Sequence, residues 1–524
     1  MNLPAKTSVL IVGAGPAGLI LANLLGAEGV ATVLIERNPG CVPEPRAVAL
    51  DGESLRTLQA AGLADRVLEN ILQGVAADYI NGAGTQLFKT DLTARPYGYC
   101  LQNSFDQPVL ERQLLAGLSR FPCVSVAHNT ELKQFEQDSE SVSAALASNG
   151  NGEHAIQADF MVACDGGRSS IRQNLGIAMV GERLPQKWLV IDTVDTHLGE
   201  EPACRFYCDP RRPAMTIIRP NSERRWEWML VDDETDEQML EDEHIDALLA
   251  EHTDPAKVEV YRKCVYSFSA VVAERFSSGR VFLAGDAAHM TPPFAGQGLN
   301  AGSRDVRNLA WKLSGVVAGK LPLSALDTYD VERREAARAV VDLAVSLGDQ
   351  IQPTNPEAAA ERDAFFAELN TDPAAAASFS ADIMAPLSDV RLAHGWFADD
   401  GAGGRMLPQP EIEQGTGSVL LDELLGAGFT ALVRGVPDLP LAVTSHPLWQ
   451  TLDPSPHYIG GGTHCLPPTA LPGFIDDSSG PGITLVRPDR FILADIGLDE
   501  DVTSRLDSLQ TMLNRAWGSQ AQDK

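Results

Sequence analysis

Three glycine-bearing segments hold the residues whose types and spacing could do chemistry. The first runs Val9-Leu-Ile-Val-Gly13-Ala-Gly15-Pro16-Ala17-Gly18. Ser8 to Val12 is a short β-branched apolar run, which predicts a buried parallel strand. Gly13 allows a tight turn, Gly15 lets the backbone approach a pyrophosphate, and Gly18 lets the next helix pack on the strand. A helix from about Pro16 to Glu28 then aims its free amides and positive dipole end at phosphate. A second strand, Ala31 to Ile35, delivers Glu36, 18 residues after Gly18. An acid there bonds adenosine ribose hydroxyls and disfavours a 2′-phosphate. The segment predicts an FAD or NAD site formed by Gly13, Gly15, Pro16, Ala17, Gly18, Glu36 and Arg37. The competing reading is a chance glycine loop, but strand, turn, helix, strand and acid fall in order.

The second segment, Ala158 to Arg172, contains Cys164-Asp165-Gly166-Gly-Arg168-Ser169. A strand ending at Cys164 is followed by an acid, two glycines and an N-cap serine, and a helix opens. Alone it is only a capped strand–turn–helix. The third segment is Val281-Phe-Leu-Ala-Gly285-Asp286-Ala-Ala-His289, followed by Pro292-Pro293-Phe-Ala-Gly296-Gln297-Gly298-Leu299-Asn300. Arg280 to Ala284 predicts a strand, and Asp286 follows on the turn as an acceptor for a ligand hydroxyl. The proline pair stiffens the turn and removes two N–H groups. A helix then runs to about Val317, with its first amides free to face negative charge. His289 invites a catalytic reading, but a lone His proves little.

The ordered triple resembles the FAD-dependent aromatic hydroxylases, the single-component flavoprotein monooxygenases typified by p-hydroxybenzoate hydroxylase. Pro45-Arg46-Ala47 through Arg56, Gln107 to Glu111, Cys208 to Pro213, Trp311-Lys-Leu, Tyr329 to Arg334 and Val486 to Phe491 narrow it. They resemble the clade that contains 3-(3-hydroxyphenyl)propionate hydroxylase. The resemblance implies noncovalent FAD, NADH or NADPH as a transient reductant, and O2 as co-substrate. It implies oxygen transfer from a flavin C4a-hydroperoxide, with ortho-hydroxylation of a small meta-hydroxyphenyl carboxylic acid. It adds Arg46, Gln107, Asp165, Asp286, Pro293, Gly296, Gly298, Leu299 and Asn300 to the cofactor set, with Pro293 near the oxygen site. It assigns no catalytic side chain and implies a structural role for His289. A larger polycyclic or polyketide-like aromatic is the alternative substrate. An FAD oxidase or dehydrogenase without oxygen insertion, or a flavin-retaining redox sensor, is the alternative function.

The elements that must position these residues predict an α/β fold. A Rossmann-like FAD-binding domain takes residues 1–177 and 271–400, including one long helix over 324–350 with Leu326, Tyr329, Val331, Ala337, Val340, Val341 and Leu343 inward and charges outward. The intervening residues 178–270 are rich in β-formers and predict an antiparallel sheet. In the resembling family this is the substrate domain. Its arginines Arg205, Arg211, Arg212 and Arg219 are the source for a carboxylate or phenolate clamp, although any one of them is more often a solvated charge. Residues 352–410 read as helices joined by loops. Residues 410–524 resemble the clade's thioredoxin-like C-terminal α/β domain and lack CxxC, which implies an assembly role.

The chain has 41 Lys and Arg against 71 Asp and Glu, a net charge of −30. That balance excludes a nucleic-acid partner and means an anionic substrate needs local cations. Apolar stretches are broken by glycine and proline, so no membrane span is expected. Met1 to Thr7 is too short and polar for a leader, and the eight scattered cysteines suit reduced thiols, so a cytoplasmic location is expected. No metal-ligand spacing is present. The expected partner is a small aromatic substrate, and a homodimer is compatible with the reading.

Overall fold

The computed structural model describes residues 3–148, 152–195, 203–231, 233–415, 417–460, 465–467, 471, 480–499 and 501–514. Lys6–Val12 forms the middle strand of a parallel sheet ordered Val281–Leu283, Gly152–Ala163, Lys6–Val12, Thr32–Ile35, Val124–Ala127. Val9, Leu10 and Ile11 are fully buried, as expected for a strand covered on both faces. Antiparallel strands Val142–Ser148 and Thr130–Gln137 extend this sheet from Gly152–Ala163. Helix α1 (Pro16–Ala27) is buried continuously from Gly18 to Gly26. Helix α2 (Gly298–Val317) packs close to it. A Cβ at Gly302 would lie 3.1 Å from Gly285 Cα and 3.7 Å from Ala17 Cβ.

A second sheet has eight strands, ordered His289–Met290, Val258–Ala273, Met179–Asp195, Glu223–Met229, Ala214–Arg219, Ala203–Cys208, Ala76–Asn81, Gln86–Thr90. The last two strands lie far upstream of the β-rich stretch that the sequence marks. Ala203–Cys208 pairs with Ala76–Asn81 in parallel, with Cys204 opposite Ala77 and Phe206 opposite Tyr79. A parallel partner needs a long connection, so no local turn signal reveals it.

Helix α3 (Thr328–Ile351) starts later than the expected 324, because a 3₁₀ turn at Leu323–Ala325 follows Pro322. Its inner face includes Glu332 and Arg333, both buried. These charges were expected to face water. Instead Glu332 pairs with Lys312 at 2.9 Å and Arg487 at 2.8 Å, and Arg333 pairs with Asp305 at 3.0 Å. Helices Pro356–Leu369 and Pro373–Ser388 follow.

The C-terminal sheet is ordered Cys465–Leu466, Ser455–Ile459, Thr430–Arg434, Gly482–Val486, Ile492–Gly497. A parallel βαβ half and an antiparallel hairpin followed by helix Val502–Leu513 make it thioredoxin-like. The segments Trp311-Lys-Leu, Tyr329 to Arg334 and Val486 to Phe491 meet where this unit docks on the FAD unit. No helix among the described residues is long and apolar enough to cross a membrane. The seven cysteines with described side chains are free.

Candidate active site

The first motif builds a cradle whose glycines separate by role. Gly13 has φ +106°, and a Cβ there would sit 2.3 Å from Cys164 O. A Cβ on Gly18 would sit 2.0 Å from Gly13 O. Both glycines are therefore demanded by backbone packing. Gly15 differs, since a Cβ there would meet nothing within 4 Å. Gly15 is the N-cap of α1 and no side chain caps the helix, so its leading amides point into open space. Glu36 closes the cradle edge, accepting from Ala14 N at 2.8 Å and Asn38 N at 2.9 Å. Arg37 beside it is exposed.

The start of α2 repeats this design. Gln297 is its N-cap without a side-chain cap bond, and a Cβ on Gly298 would meet nothing within 4 Å. Gln297 Nε2 is buried with no partner. Pro293, Gly296, Gly298 and Leu299 are half-buried along the turn leading in. Two uncapped helix starts and an orphaned donor fit an anionic, hydrogen-bonding cofactor.

Side chains lock the three motifs to one another. Arg172 donates to Gly167 O at 3.2 Å and Ala287 O at 3.1 Å, tying the second motif to the third. Asp165 follows the Cys164 carbonyl that Gly13 abuts. Its Oδ1 is buried without a partner, and burial raises its carboxyl above the ordinary value. Asp305 accepts from Gly285 N at 3.0 Å and bonds His289 Nε2 at 2.7 Å. His289 is thus a buried strut of the turn. Asp286 is exposed on that turn.

Asn300 is wholly committed within the protein. Its amide donates to Ala49 O and Gly296 O, and its oxygen accepts from Asp51 N and Ser54 Oγ. The Asn300 side chain positions the turn, and its backbone belongs to the open helix start. Gln107 likewise accepts from Arg46 N at 3.2 Å and Ala47 N at 2.7 Å. From the second sheet, Arg225 donates to Arg46 O at 2.7 Å and Pro45 O at 2.6 Å. The Arg46 side chain stays exposed beside the loop that these two residues hold. Sequence reasoning missed Arg225 and its buried partner Asp192 at 2.8 Å, whose signal was an arginine alternating with tryptophans in Arg225-Trp-Glu-Trp.

Between the Pro293–Gly296 turn and the second sheet lies a cleft of about 60 Å³, walled by Tyr79, Phe206, Met215, Ile217, Leu347 and Met384 among others. Tyr79 stacks on Phe88 at 3.9 Å and on Phe206 at 4.7 Å. Among the described residues no Lys or Arg lines this cleft, and the expected arginine cluster does not form. Cys204 and Phe206 face the cleft, so strand alternation sends Arg205 to the opposite face, where it lies 3.8 Å from Asp78. Arg211 is exposed and paired with Asp209 on its own turn. Arg212 pairs with Glu234 at 2.6 Å. Arg219 is fully buried, and Glu223, Asp192 and Asp106 at 2.9, 3.5 and 3.6 Å already answer its charge. Among the described residues no group of three or more metal-ligating side chains occurs.

Residues 6–344 match the family model described as FAD binding domain. A 3-(3-hydroxy-phenyl)propionate/3-hydroxycinnamic acid hydroxylase of Burkholderia vietnamiensis is 37% identical over 512 residues, covering 93% of each chain. One of Burkholderia cenocepacia is 40% identical over 429 residues, covering 82% of this chain and 79% of the relative. Among solved structures, the aklavinone-11 hydroxylase complex with FAD and aklavinone superposes with TM-score 0.79 at 26% identity, over 98% of this chain and 100% of that one. The monooxygenase PieE with FAD and substrate shares the fold, with TM-score 0.82 at 23% identity over 97% and 99% of the two chains. By a match to more than half its length and by relatives spanning nearly all of it, the chain belongs to the FAD-dependent aromatic hydroxylases, flavin monooxygenases of the group that contains the 3-(3-hydroxyphenyl)propionate hydroxylases.

Proposed function

We propose that this hydroxylase acts on a small meta-hydroxyphenyl carboxylic acid, adding one oxygen ortho to the phenol. NADH or NADPH supplies two electrons, and the second atom of O2 leaves as water. The observation that carries the reading is the aromatic-walled cleft against the Pro293–Gly296 turn. The names of the relatives at 37% and 40% identity support the substrate class. FAD would lie with its pyrophosphate on Gly13 to Gly18, its ribose at Glu36, and its ring system against Gly296 to Asn300. When bound and reduced, it supplies the activated oxygen. The protein's own part is to hold the ring flat between apolar walls and to keep bulk water out. A screen of substituted phenols tests the proposal. Substrate-stimulated NAD(P)H oxidation with a product one oxygen heavier supports it, and oxidation that yields only peroxide overturns it.

The lining chemistry sets how the acid is read. Among the described residues no cation faces the cleft, so the carboxylate adds little affinity and the ring and its hydroxyl carry recognition. Turning the acid into its primary amide should leave KM within about threefold, well under the 1.4 kcal/mol of a tenfold change. A clamped carboxylate would instead cost about 2–5 kcal/mol when its partner is lost. A larger neutral aromatic is the second reading, and the same cation-free lining favours it. Equal turnover of acid and amide with poor turnover of polycyclic phenols decides for the small acid.

Asp286 stands on the exposed turn between the cradle and the cleft. Asp286→Ala should weaken FAD binding about 10- to 100-fold, the worth of a hydrogen bond to a charged group at about 1.5–3 kcal/mol. Titration of apoprotein with FAD measures this, with circular dichroism expected to match the parent. Acid should release the flavin intact, as befits noncovalent binding.

A further inference from the structure

A second cleft, of about 290 Å³, opens on the other side of α2, between the FAD unit and the C-terminal unit. Its walls include Gln59, Arg307, Trp311 and Arg490. Three of these present buried polar atoms with no partner: both amide atoms of Gln59, Trp311 Nε1 and Arg490 Nη1. Trp311 is 8% exposed and Arg490 3% exposed, so these are desolvated donors. Unpaired groups of this kind are destabilising unless something answers them.

The charge around the cleft is unbalanced. Arg56, Arg307 and Arg490 all act on the carboxylate of Asp422. Arg56 takes both Asp422 oxygens, at 2.7 and 2.8 Å, while Arg490 Nε lies 3.2 Å from Asp422 Oδ2 and its Nη2 donates to Gly426 O, so the free face of Arg490 is Nη1. A second buried acid that acts on Arg307, Asp489, is held by Arg487 and Asn308. Arg307 keeps a bond to Pro488 O at 2.7 Å, and burial pushes its guanidinium down to about 10. Arg490 also sits at φ +73°, a left-handed conformation unfavourable for a side chain of its size. Two further acids, Glu28 and Glu423, line the mouth but are exposed, where water screens them. The rest of the wall is apolar, from Leu24, Ala310, the Trp311 ring and Pro488.

We infer that this cleft is a binding site for a small organic carboxylate, whose oxygens meet Arg490, Arg307 and the Trp311 indole N–H while its apolar body lies on Leu24 and Pro488. The site is separate from the aromatic cleft and does not depend on the substrate proposed above. At the small end of ligand pockets, it suits a one-ring acid.

The test uses FAD-loaded protein titrated calorimetrically with benzoate and with benzamide, its neutral counterpart. Saturable benzoate binding is expected, at least about tenfold tighter than benzamide, the discrimination a charge-assisted bond supplies. Gln59→Glu places a negative charge in the cleft at a half-exposed position and should weaken benzoate at least about tenfold. It should leave flavin absorbance and substrate KM unchanged. Arg490→Gln should do the same to benzoate, and Gln59→Glu keeps the question open if Arg490→Gln does not fold. Met215→Trp, which fills the aromatic cleft, should leave the benzoate isotherm intact. Equal binding of benzoate and benzamide overturns the inference. So does benzoate binding that is lost in Met215→Trp and unchanged in Gln59→Glu, or no saturable binding at all.

Discussion

A Glu332→Ala chain is expected to unfold about 3–5 kcal/mol more easily than the parent, the cost of removing one partner from a buried ion pair. Glu332 is fully buried and takes Lys312 on one oxygen and Arg487 across both. It also accepts from Asn308 at 2.6 Å and Trp396 N at 2.8 Å. Its removal strands the desolvated Lys312 and leaves Arg487 with Asp489 alone, where the C-terminal unit meets the FAD unit. Urea denaturation read by tryptophan fluorescence measures the loss, and an unchanged midpoint would refute it. Burial alone would raise the Glu332 carboxyl, but Arg487 and Lys312 hold it well below the usual range. Asp422 is likewise held low by Arg56 and Arg490 against its own burial. In the unfolded chain both groups bind a proton more readily. Their contribution is therefore complete above the ordinary carboxylate range, at about pH 4–5, and drains away as pH falls further. Glu332→Ala should flatten that acid limb.

Gly15→Val and Gly18→Ala should fail in opposite ways. At Gly15 the backbone has φ −73° and ψ −178°, open to any residue, and a side chain meets empty space. The variant should fold with parental stability yet lose FAD affinity about 100-fold, since the branched side chain occupies the approach to the α1 amides and one or two charge-assisted bonds of about 1.5–3 kcal/mol are lost. At Gly18 even a methyl lies 2.0 Å from Gly13 O. That variant should lose the strand–helix packing itself, and with it soluble protein. Apoprotein melting and FAD titration separate the two. A stable Gly18→Ala chain with normal flavin content would contradict the packing argument.

The cradle was legible because its rules are local. Glycine turn, helix start and terminal acid follow within a few dozen residues, so the strand at Lys6–Val12 and helix α1 lie within two residues of their expected limits. The second sheet was legible as β-rich and illegible as a set of neighbours, since Ala76–Asn81 joins Ala203–Cys208 from more than a hundred residues away. The arginine cluster failed for a reason the pattern did carry. Cys204-Arg205-Phe206-Tyr207 alternates, which already sends Arg205 and Phe206 to opposite faces. The buried charges Glu332 and Arg333 were read as a wet face because their partners Arg487 and Asp305 lie on other elements. The sequence expects Asn300 and Gln107 to contact the cofactor, but in the structure their side chains are spent inside the protein, on backbone groups and on Ser54 and Glu111.

The two upstream strands of the second sheet limit how members of this group can be recombined. A chimera that transplants residues 178–270 as a cassette would carry Ala203–Cys208 without the strand that pairs with it residue by residue from Ala76 to Asn81. That edge would be matched against foreign side chains, or left open as a template for aggregation. It would also separate Phe206 from Tyr79, whose stacked rings form one wall of the aromatic cleft. Exchange of substrate preference between relatives should therefore move two segments together, 76–90 and 178–270. Natural crossovers that keep activity should fall outside both, where few pairings are cut.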